Sequence, residues 1–284
     1  MAALWMAGWL SLMLMVTVAG REALREINVF QVMELRSLIG FALLYPLIRR
    51  NGGFAAMKTS RPVQHIGRNL IHYGAQIGWF FALTLIPLGQ VVSIEFTMPI
   101  WTAILAASFL GERITIWKIT AIVLGIVGVI VIVRPATGEI NQGQLIALAA
   151  AVGFGVSVAM MKSLTRTEKT VAIIFWMLVV QSAAGLLPAL YVWKWPSAHV
   201  WGWITVIAFC GTFSHYCMAR AMLHADATVV LPMDFLRVPL TATLGWLLYA
   251  ERLDMLTVLG AMLILTGNLL NLKPPAQIPA RAGT

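Results

Sequence analysis

Residues 110–113 read Leu-Gly-Glu-Arg and residues 249–252 read Tyr-Ala-Glu-Arg, each at the close of a long apolar run. The two tetrapeptides stand 139 residues apart in a chain of 284. The same offset carries Gly128 onto Gly267 and Arg134-Pro135 onto Lys273-Pro274. Upstream, Gly74 and Ala82 fall on Gly211 and Ala219 at an offset of 137, and Ser37 and Gly40 on Ser182 and Gly185 at 145, a drift that small loop insertions explain. Each identity is weak alone. Their order and common spacing divide the chain into a first half, 1–140, a second half, 141–273, and a polar, flexible tail, 274–284.

Both halves are made of apolar chain. Hydrophobic residues make up 60% and charged residues 11%, with a mean hydropathy of +0.85, against about 25% charged in a soluble domain. This excludes a water-soluble globule and a soluble domain on one anchor. A helix crosses the hydrocarbon in about 20 residues, and the apolar runs fit ten such helices, near 1–19, 30–48, 66–86, 91–110, 114–133, 143–161, 171–192, 201–222, 227–249 and 255–272. Five spans per half is an odd number, so the second half must enter the membrane from the opposite face. The expected fold is an all-α integral membrane protein of ten transmembrane helices in two inverted five-helix repeats, an architecture in which substrate binds near the midplane between repeats.

The formal charge of +9 is distributed unevenly, and its placement matters more than its sum; no nucleic-acid partner is expected. With the N-terminus inside, eleven cations fall on the cytoplasmic side (Arg49, Arg50, Lys58, Arg61, Arg113, Lys118, Lys162, Arg166, Lys169, Lys273, Arg281) and five outside (Arg21, Arg25, Arg134, Lys194, Arg252). Lys and Arg in short loops are retained inside, so both termini are expected in the cytoplasm. The first apolar run has no basic n-region or small-x-small cleavage site and is expected to remain as a span. Cys210 and Cys217 share one helix and are expected to be buried, unbonded residues.

Four cations remain at membrane depth: Arg36, Arg68, Arg220 and Arg237. Charges there are costly unless paired or hydrated, which marks them as functional candidates. In span nine Pro232, Asp234, Arg237 and Pro239 interrupt the helix within eight residues. Asp234 shares a helix face with Arg237 and would form an internal pair; the broken helix either offers a guanidinium to an anionic substrate group or staples the repeats. In span four Pro99 cannot donate to the carbonyl of Glu95, leaving a kinked, polar spot. Glu95 then either pairs with Arg36 or takes part in coupling. Glu34 is expected to be an interfacial carboxylate, and Asp226 a helix cap.

Arg68, His72 and Gln76 form a polar stripe on span three that should face a cavity or another helix. His72, like His215 in span eight, is either a proton relay or a structural donor. Gly74 and Gly78 form a GxxxG packing pair, and Arg220 snorkels. Of the tryptophans, Trp5, Trp9, Trp193, Trp195, Trp201 and Trp203 are expected in the interfacial belt. Trp101, with Trp79 and Tyr73, is the candidate aromatic wall of a cavity. The expected substrate-binding set is therefore Arg237, Trp101, Gln76, Trp79, Tyr73 and Asp234, with Glu95, His72, His215, Pro99 and Pro239 in coupling or gating.

The ten short spans, the paired Gly111-Glu112-Arg113 and Ala250-Glu251-Arg252 segments, the mid-span Pro99 and Pro239, and the glycine-bearing spans ending in Arg134-Pro135 and Lys273-Pro274 resemble the EamA-type branch of the drug/metabolite transporter superfamily. The resemblance implies a central cavity lined by spans one, three, four, six, eight and nine, with spans five and ten as outer support. It also implies transport of amino acids or related metabolites, and in other members riboflavin or S-adenosylmethionine.

The expectation is a secondary transporter of the cytoplasmic membrane that moves a small organic metabolite by alternating access, amino-acid export favoured over uptake of riboflavin or S-adenosylmethionine. Its partners would be membrane lipid, the substrate and, as a coupling ion, protons. No phosphate-binding loop of the G-x-x-x-x-G-K-[ST] kind is present, and the five histidines lack ligand spacing, so no cofactor or metal is called for. A lipid-modifying enzyme would need a nucleophile with its base or a metal cluster. A scaffold or channel would need a continuous polar lining, whereas these charges concentrate in a few spans.

Overall fold

The computed structural model describes residues 1–110, 115–134, 141–164, 167–222, 224, 230 and 233–272. Glu112, Arg113, Pro135, Asp226, Pro232 and the tail from Lys273 lie outside the described residues, as do the side chains of Lys162 and His215. The helices are α1 (Ala2–Ala23), α2 (Val29–Arg50), α3 (Pro62–Leu85), α4 (Leu88–Glu95), α5 (Met98–Leu110), α6 (Ile116–Val133), α7 (Gln142–Leu164), α8 (Thr170–Tyr191), α9 (Ala198–Met222), α10 (Arg237–Tyr249) and α11 (Met255–Asn271), with a short 3-10 turn at Phe54–Met57. No strand occurs among the described residues. Among the described residues six stretches are long and apolar enough to cross a membrane: Ala2–Ala23, Val29–Arg50, Leu88–Leu105, Ile116–Val133, Gln142–Met161 and Val171–Tyr191.

Local chemistry fixes the helix starts. Asn28 accepts the Phe30 N–H at 3.1 Å before α2, Thr115 accepts from Lys118 before α6, and Asp254 accepts from Leu256 and Thr257 at 3.0 Å before α11. Such caps satisfy amides that have no partner within the helix. One element departs from expectation. The run 91–110, read as one kinked span, is two helices separated by a turn at Phe96–Thr97. A second turn at Phe235–Leu236 immediately precedes α10. In each case a proline follows within four residues, Pro99 and Pro239, and its missing N–H leaves the carbonyl four residues before it, that of Glu95 or Phe235, without its α-helical donor.

The helices pack in pairs: α1 on α9, α3 on α7, α2 on α8, α4 on α10 and α6 on α11. The α6–α11 contact is close. A Cβ placed on Gly128 would lie 2.7 Å from the Gly260 carbonyl oxygen, and one on Gly260 would lie 2.6 Å from that of Gly128. Small residues let helix backbones meet in this way inside a membrane. The expected Gly74–Gly78 pair behaves differently: Gly78 packs on Ile146 and Ala150, but Gly74 has nothing within 4 Å. The small contact on α3 is instead Ala75 against Gly153.

The surface is inverted relative to a soluble protein. Val123, Leu187, Trp246, Leu247 and Met262 are exposed, while Gln31, Glu34, Arg68, Gln181, Asp234 and Arg237 are buried. Such a pattern suits lipid outside and a polar interior. Both cysteines are free and buried, as expected.

Candidate functional site between the helix breaks

The two helix breaks meet. Phe96 and Phe235, one at each turn, pack edge to face with ring centroids 5.4 Å apart. Immediately before them in sequence stand Glu95 and Asp234, so the 139-residue offset of the Glu-Arg tetrapeptides also carries Glu95-Phe96 onto Asp234-Phe235. Arg237, 4% exposed, lies between the two acids. Its Nη1 donates to Glu95 at 2.9 Å and its Nη2 to Asp234 at 3.3 Å. The other oxygen of each carboxylate accepts an indole N–H: Trp79 donates to Glu95 at 2.8 Å and Trp9 to Asp234 at 2.6 Å. The guanidinium also sits 4.8 Å from the Phe96 ring centroid, within cation–π range.

This arrangement satisfies four of the carboxylate hydrogen-bonding sites and both guanidinium fork nitrogens. It carries two formal negative charges against one positive, framed by aromatic faces. Chemically it offers an attraction for positive charge more than a free cation for an anion. Asn268 of α11 completes the support by donating to the Phe96 carbonyl oxygen at 2.7 Å, which the break leaves without a helical partner.

Arg237, Asp234, Glu95 and Trp79 are thus brought together, and Pro99 and Pro239 follow the two turns that make this possible. The alternative pairing of Glu95 with Arg36 does not occur. Arg36 donates to the Gln76 and Gln181 side chains at 3.1 and 2.8 Å. Trp9, expected in the interfacial belt, is instead buried on Asp234, because its indole N–H finds a charged acceptor. Glu34, expected at an interface, is buried beside Tyr73. Both its Oε2 and the Tyr73 hydroxyl lack a partner, and both crowd Gly185.

The remaining candidates lie apart from this cluster. Trp101 uses its N–H on Thr97 at 3.0 Å and lines an apolar cavity of about 160 Å3 with Ile100, Val129 and Leu148. It joins no contact of the Glu95–Arg237–Asp234 set among the described residues. The stripe on α3 divides among neighbours: Arg68 donates to Asn69 at 2.6 Å, and His72 lies 3.2 Å from the Ser157 hydroxyl of α7 with its ring against Phe154. Arg220 rests 5.4 Å from the centre of the Trp5 ring. Sequence reasoning passed over Trp9, Phe96, Phe235, Gln181 and Asn268. The repeated acid-Phe pair was a readable signal; the two polar amides gave none, since nothing in a single sequence separates a cavity amide from a surface one.

Glu251 of the second Glu-Arg tetrapeptide has a distinct task. It accepts the Leu88 N–H that opens α4 at 2.8 Å and pairs with Arg21 at the end of α1. Nearby, Tyr249 donates to Glu22 at 2.8 Å, and Arg21 lies over the Tyr249 ring. These contacts tie α1, α4 and α10 together at one end of the bundle.

Comparison with known proteins places this architecture. The EamA-like transporter family matches the chain twice, over residues 1–134 and 141–273. The chain belongs to that family, within the drug/metabolite transporter superfamily; it is an integral membrane transporter of small molecules and not an enzyme. It is 27% identical over 244 residues to the S-adenosylmethionine uptake transporter of Rickettsia prowazekii, covering 86% of this chain and 83% of that protein. To the riboflavin transporter of Brucella anthropi it is 32% identical over 242 residues (82% and 84% covered), and to the pseudopaline exporter CntI of Pseudomonas aeruginosa 27% over 250 residues (86% of each). A solved crystal structure superposes over 95% of both chains with a TM-score of 0.64 at 20% identity, a likeness of fold alone.

Proposed function

We propose that the chain is a secondary transporter of the bacterial inner membrane that moves a positively charged, amino-acid-related metabolite by alternating access. The observation that carries this reading is the Arg237 guanidinium held between Glu95 and Asp234 at two meeting helix breaks, with one formal negative charge in excess and aromatic rings around it. An ammonium or sulfonium group is attracted to such a site by the excess charge and by the ring faces. Among the metabolites transported by the named relatives, S-adenosylmethionine fits best. Neutral, flat riboflavin would use the aromatic surface only. Pure anion capture by Arg237 fits poorly, because both its fork nitrogens are already engaged.

The architecture behind this reading is ten crossings in two inverted repeats, 1–140 and 141–273, with α4 and α5 forming one crossing and α10 ending another. A two-fold relation of that kind exchanges the α1–α9 pair with the α3–α7 pair and returns α2–α8, α4–α10 and α6–α11 onto themselves. All five pairings occur. Both termini would lie inside, and the direction of transport would follow the gradients, so export of amino acids and uptake of S-adenosylmethionine are two uses of one machine. Protons remain the candidate coupling ion, with Glu95 and His72 as the groups to test.

The test is flux into proteoliposomes of S-adenosylmethionine, a panel of amino acids and riboflavin, with and without a pH gradient. Saturable uptake of a cationic member, lost in Glu95→Gln and Arg237→Ala proteins that still elute as folded species, is the expected result. Selective flux of riboflavin or of simple anions, or cation flux unchanged in both variants, would remove the cluster from the substrate path. Flux indifferent to the pH gradient and to His72→Ala would remove protons.

A further inference from the structure

We infer that the transported metabolite also carries a carboxylate, and that Arg36 holds it, in a second subsite one turn of α3 away from the acidic cluster. This deepens the proposed function and rests on it. Two arginines near the centre, Arg237 buried and Arg36 half-buried, differ in their company. Arg237 spends both fork nitrogens on protein carboxylates. Arg36 bonds only to neutral amide oxygens, through one nitrogen: its Nη2 donates to Gln76 and Gln181. The Nε of each lacks a partner, but Arg36 differs in that its Nη1 also makes no hydrogen bond among the described residues. No carboxylate lies within ion-pair distance of it among those residues.

A cation at membrane depth with no carboxylate in contact is a costly arrangement. Two further features give it the form of a site. Gln181 also donates to Gln76, at 2.9 Å, so the two amides hold each other and aim both oxygens at the same guanidinium nitrogen. Arg36 is thereby oriented with its Nη2 committed to the two amides and its Nη1 left to donate to one further acceptor, which a carboxylate oxygen supplies as a charge-assisted bond. Beside it lies a cavity of about 40 Å3 bordered by Arg36, Gln76 and Thr212. That is room for about three or four waters, at roughly 10–15 Å3 each, and so for one small oxyanion head.

The position of this pocket follows from α3. Gln76 and Trp79 are three residues apart, on one face and about 4.5 Å apart along the axis. Gln76 belongs to the Arg36 pocket and Trp79 to Glu95. One helix face therefore links an anion-seeking pocket to a cation-seeking one, matching a metabolite with opposite charges a few bonds apart. The carboxylate recognition expected of Arg237 thus passes to Arg36, with Gln76 and Gln181 as positioning residues.

The experiment compares S-adenosylmethionine with its decarboxylated form, which differs only in the carboxylate, as competing substrates in proteoliposomes. Wild-type protein should prefer the carboxylate form about 10- to 100-fold in KM, the range of a charged hydrogen bond. Arg36→Met should bring the ratio near one, by raising KM for the carboxylate form alone. Gln181→Glu, which supplies Arg36 with an internal partner and keeps the pocket polar, should do the same if Arg36→Met fails to fold. A wild-type preference that survives both variants, or an equal loss of both substrates in them, would overturn the assignment. Equal wild-type use of both forms would overturn it while leaving the proposed function standing. Transport of neither form would overturn the proposed function and the Arg36 subsite with it.

Discussion

At the level of single residues, the cluster is held by charge balance more than by any one bond. Removing Arg237 would leave two buried acids facing each other, and breaking a buried pair in this way costs about 3–5 kcal/mol. Arg237→Met is therefore expected to lower the melting temperature in detergent sharply. Adding Glu95→Gln and Asp234→Asn to that variant should recover most of the stability without recovering transport. Recovery of transport would show that the charges serve folding alone. A smaller effect is expected at the tryptophans. Trp79→Phe and Trp9→Phe each deprive one carboxylate oxygen of its donor, a loss of about 1–3 kcal/mol, and the loss should be the larger at Trp9, whose bond is the more buried. Arg237 and Asp234 were legible in sequence as charges at membrane depth three residues apart. Trp9 was not, because an indole near a helix end reads as an interfacial anchor until its partner, 225 residues away, is seen.

At the level of elements, the prolines were the legible part and the bonds that accommodate them were not. Pro99 announces a disturbed helix at Glu95; whether it bends or breaks depends on what receives the orphaned carbonyl groups. Asn268 receives that of Phe96, and a full turn becomes affordable. Asn268→Leu should cost about 1–3 kcal/mol and lower the melting temperature by several degrees, while Asn271→Leu, near the end of the same helix, should do much less. The glycines tell a similar story. The repeat pairs Gly128 with Gly267 in sequence, yet in space Gly128 faces Gly260, because the helices cross antiparallel and residues equivalent by repeat need not be neighbours. Gly128→Leu forces those backbones apart and should cost about 1–3 kcal/mol or more, read by thermal unfolding. A neutral result would mean that the contact is looser than the distances state.

For the whole molecule, composition settled the solvent; which helices would pair and which polar groups would meet depended on contacts between residues more than 100 positions apart. On the proposed orientation, with both termini inside, the end of the bundle held by Arg21, Glu22, Tyr249 and Glu251 would be the outer one. Single cysteines introduced as Ser197→Cys and Lys58→Cys, with the native cysteines removed, should react with an impermeant maleimide from outside and only after permeabilisation, respectively. The reverse pattern would invert the orientation. At the same end the Glu26 carboxylate accepts the Ser197 N–H at 2.6 Å and its hydroxyl at 2.8 Å, and these bonds hold its pKa below the ordinary glutamate range. They favour the ionised form, so this latch is intact above the ordinary glutamate pKa and is lost as pH falls through the lowered one. Hydrogen exchange at Ser197, corrected for its intrinsic rate, should lose protection only well into acid, and Glu26→Gln should flatten that dependence.

The presence of two acids and two arginines in the two subsites has an electrical consequence. Glu95, Asp234, Arg237 and Arg36 sum to no formal charge, so on the proposed reading these four groups would add nothing to the voltage dependence of the empty carrier. The loaded carrier would sense the voltage in proportion to the net charge of its cargo. For a monocationic metabolite, a potential of 100 mV, negative inside, contributes about 2.3 kcal/mol, enough for roughly fifty-fold accumulation with no ion moving alongside. A potassium diffusion potential imposed with valinomycin should then drive uptake on its own, and its failure to do so would mean that some other group moves through the field with the substrate.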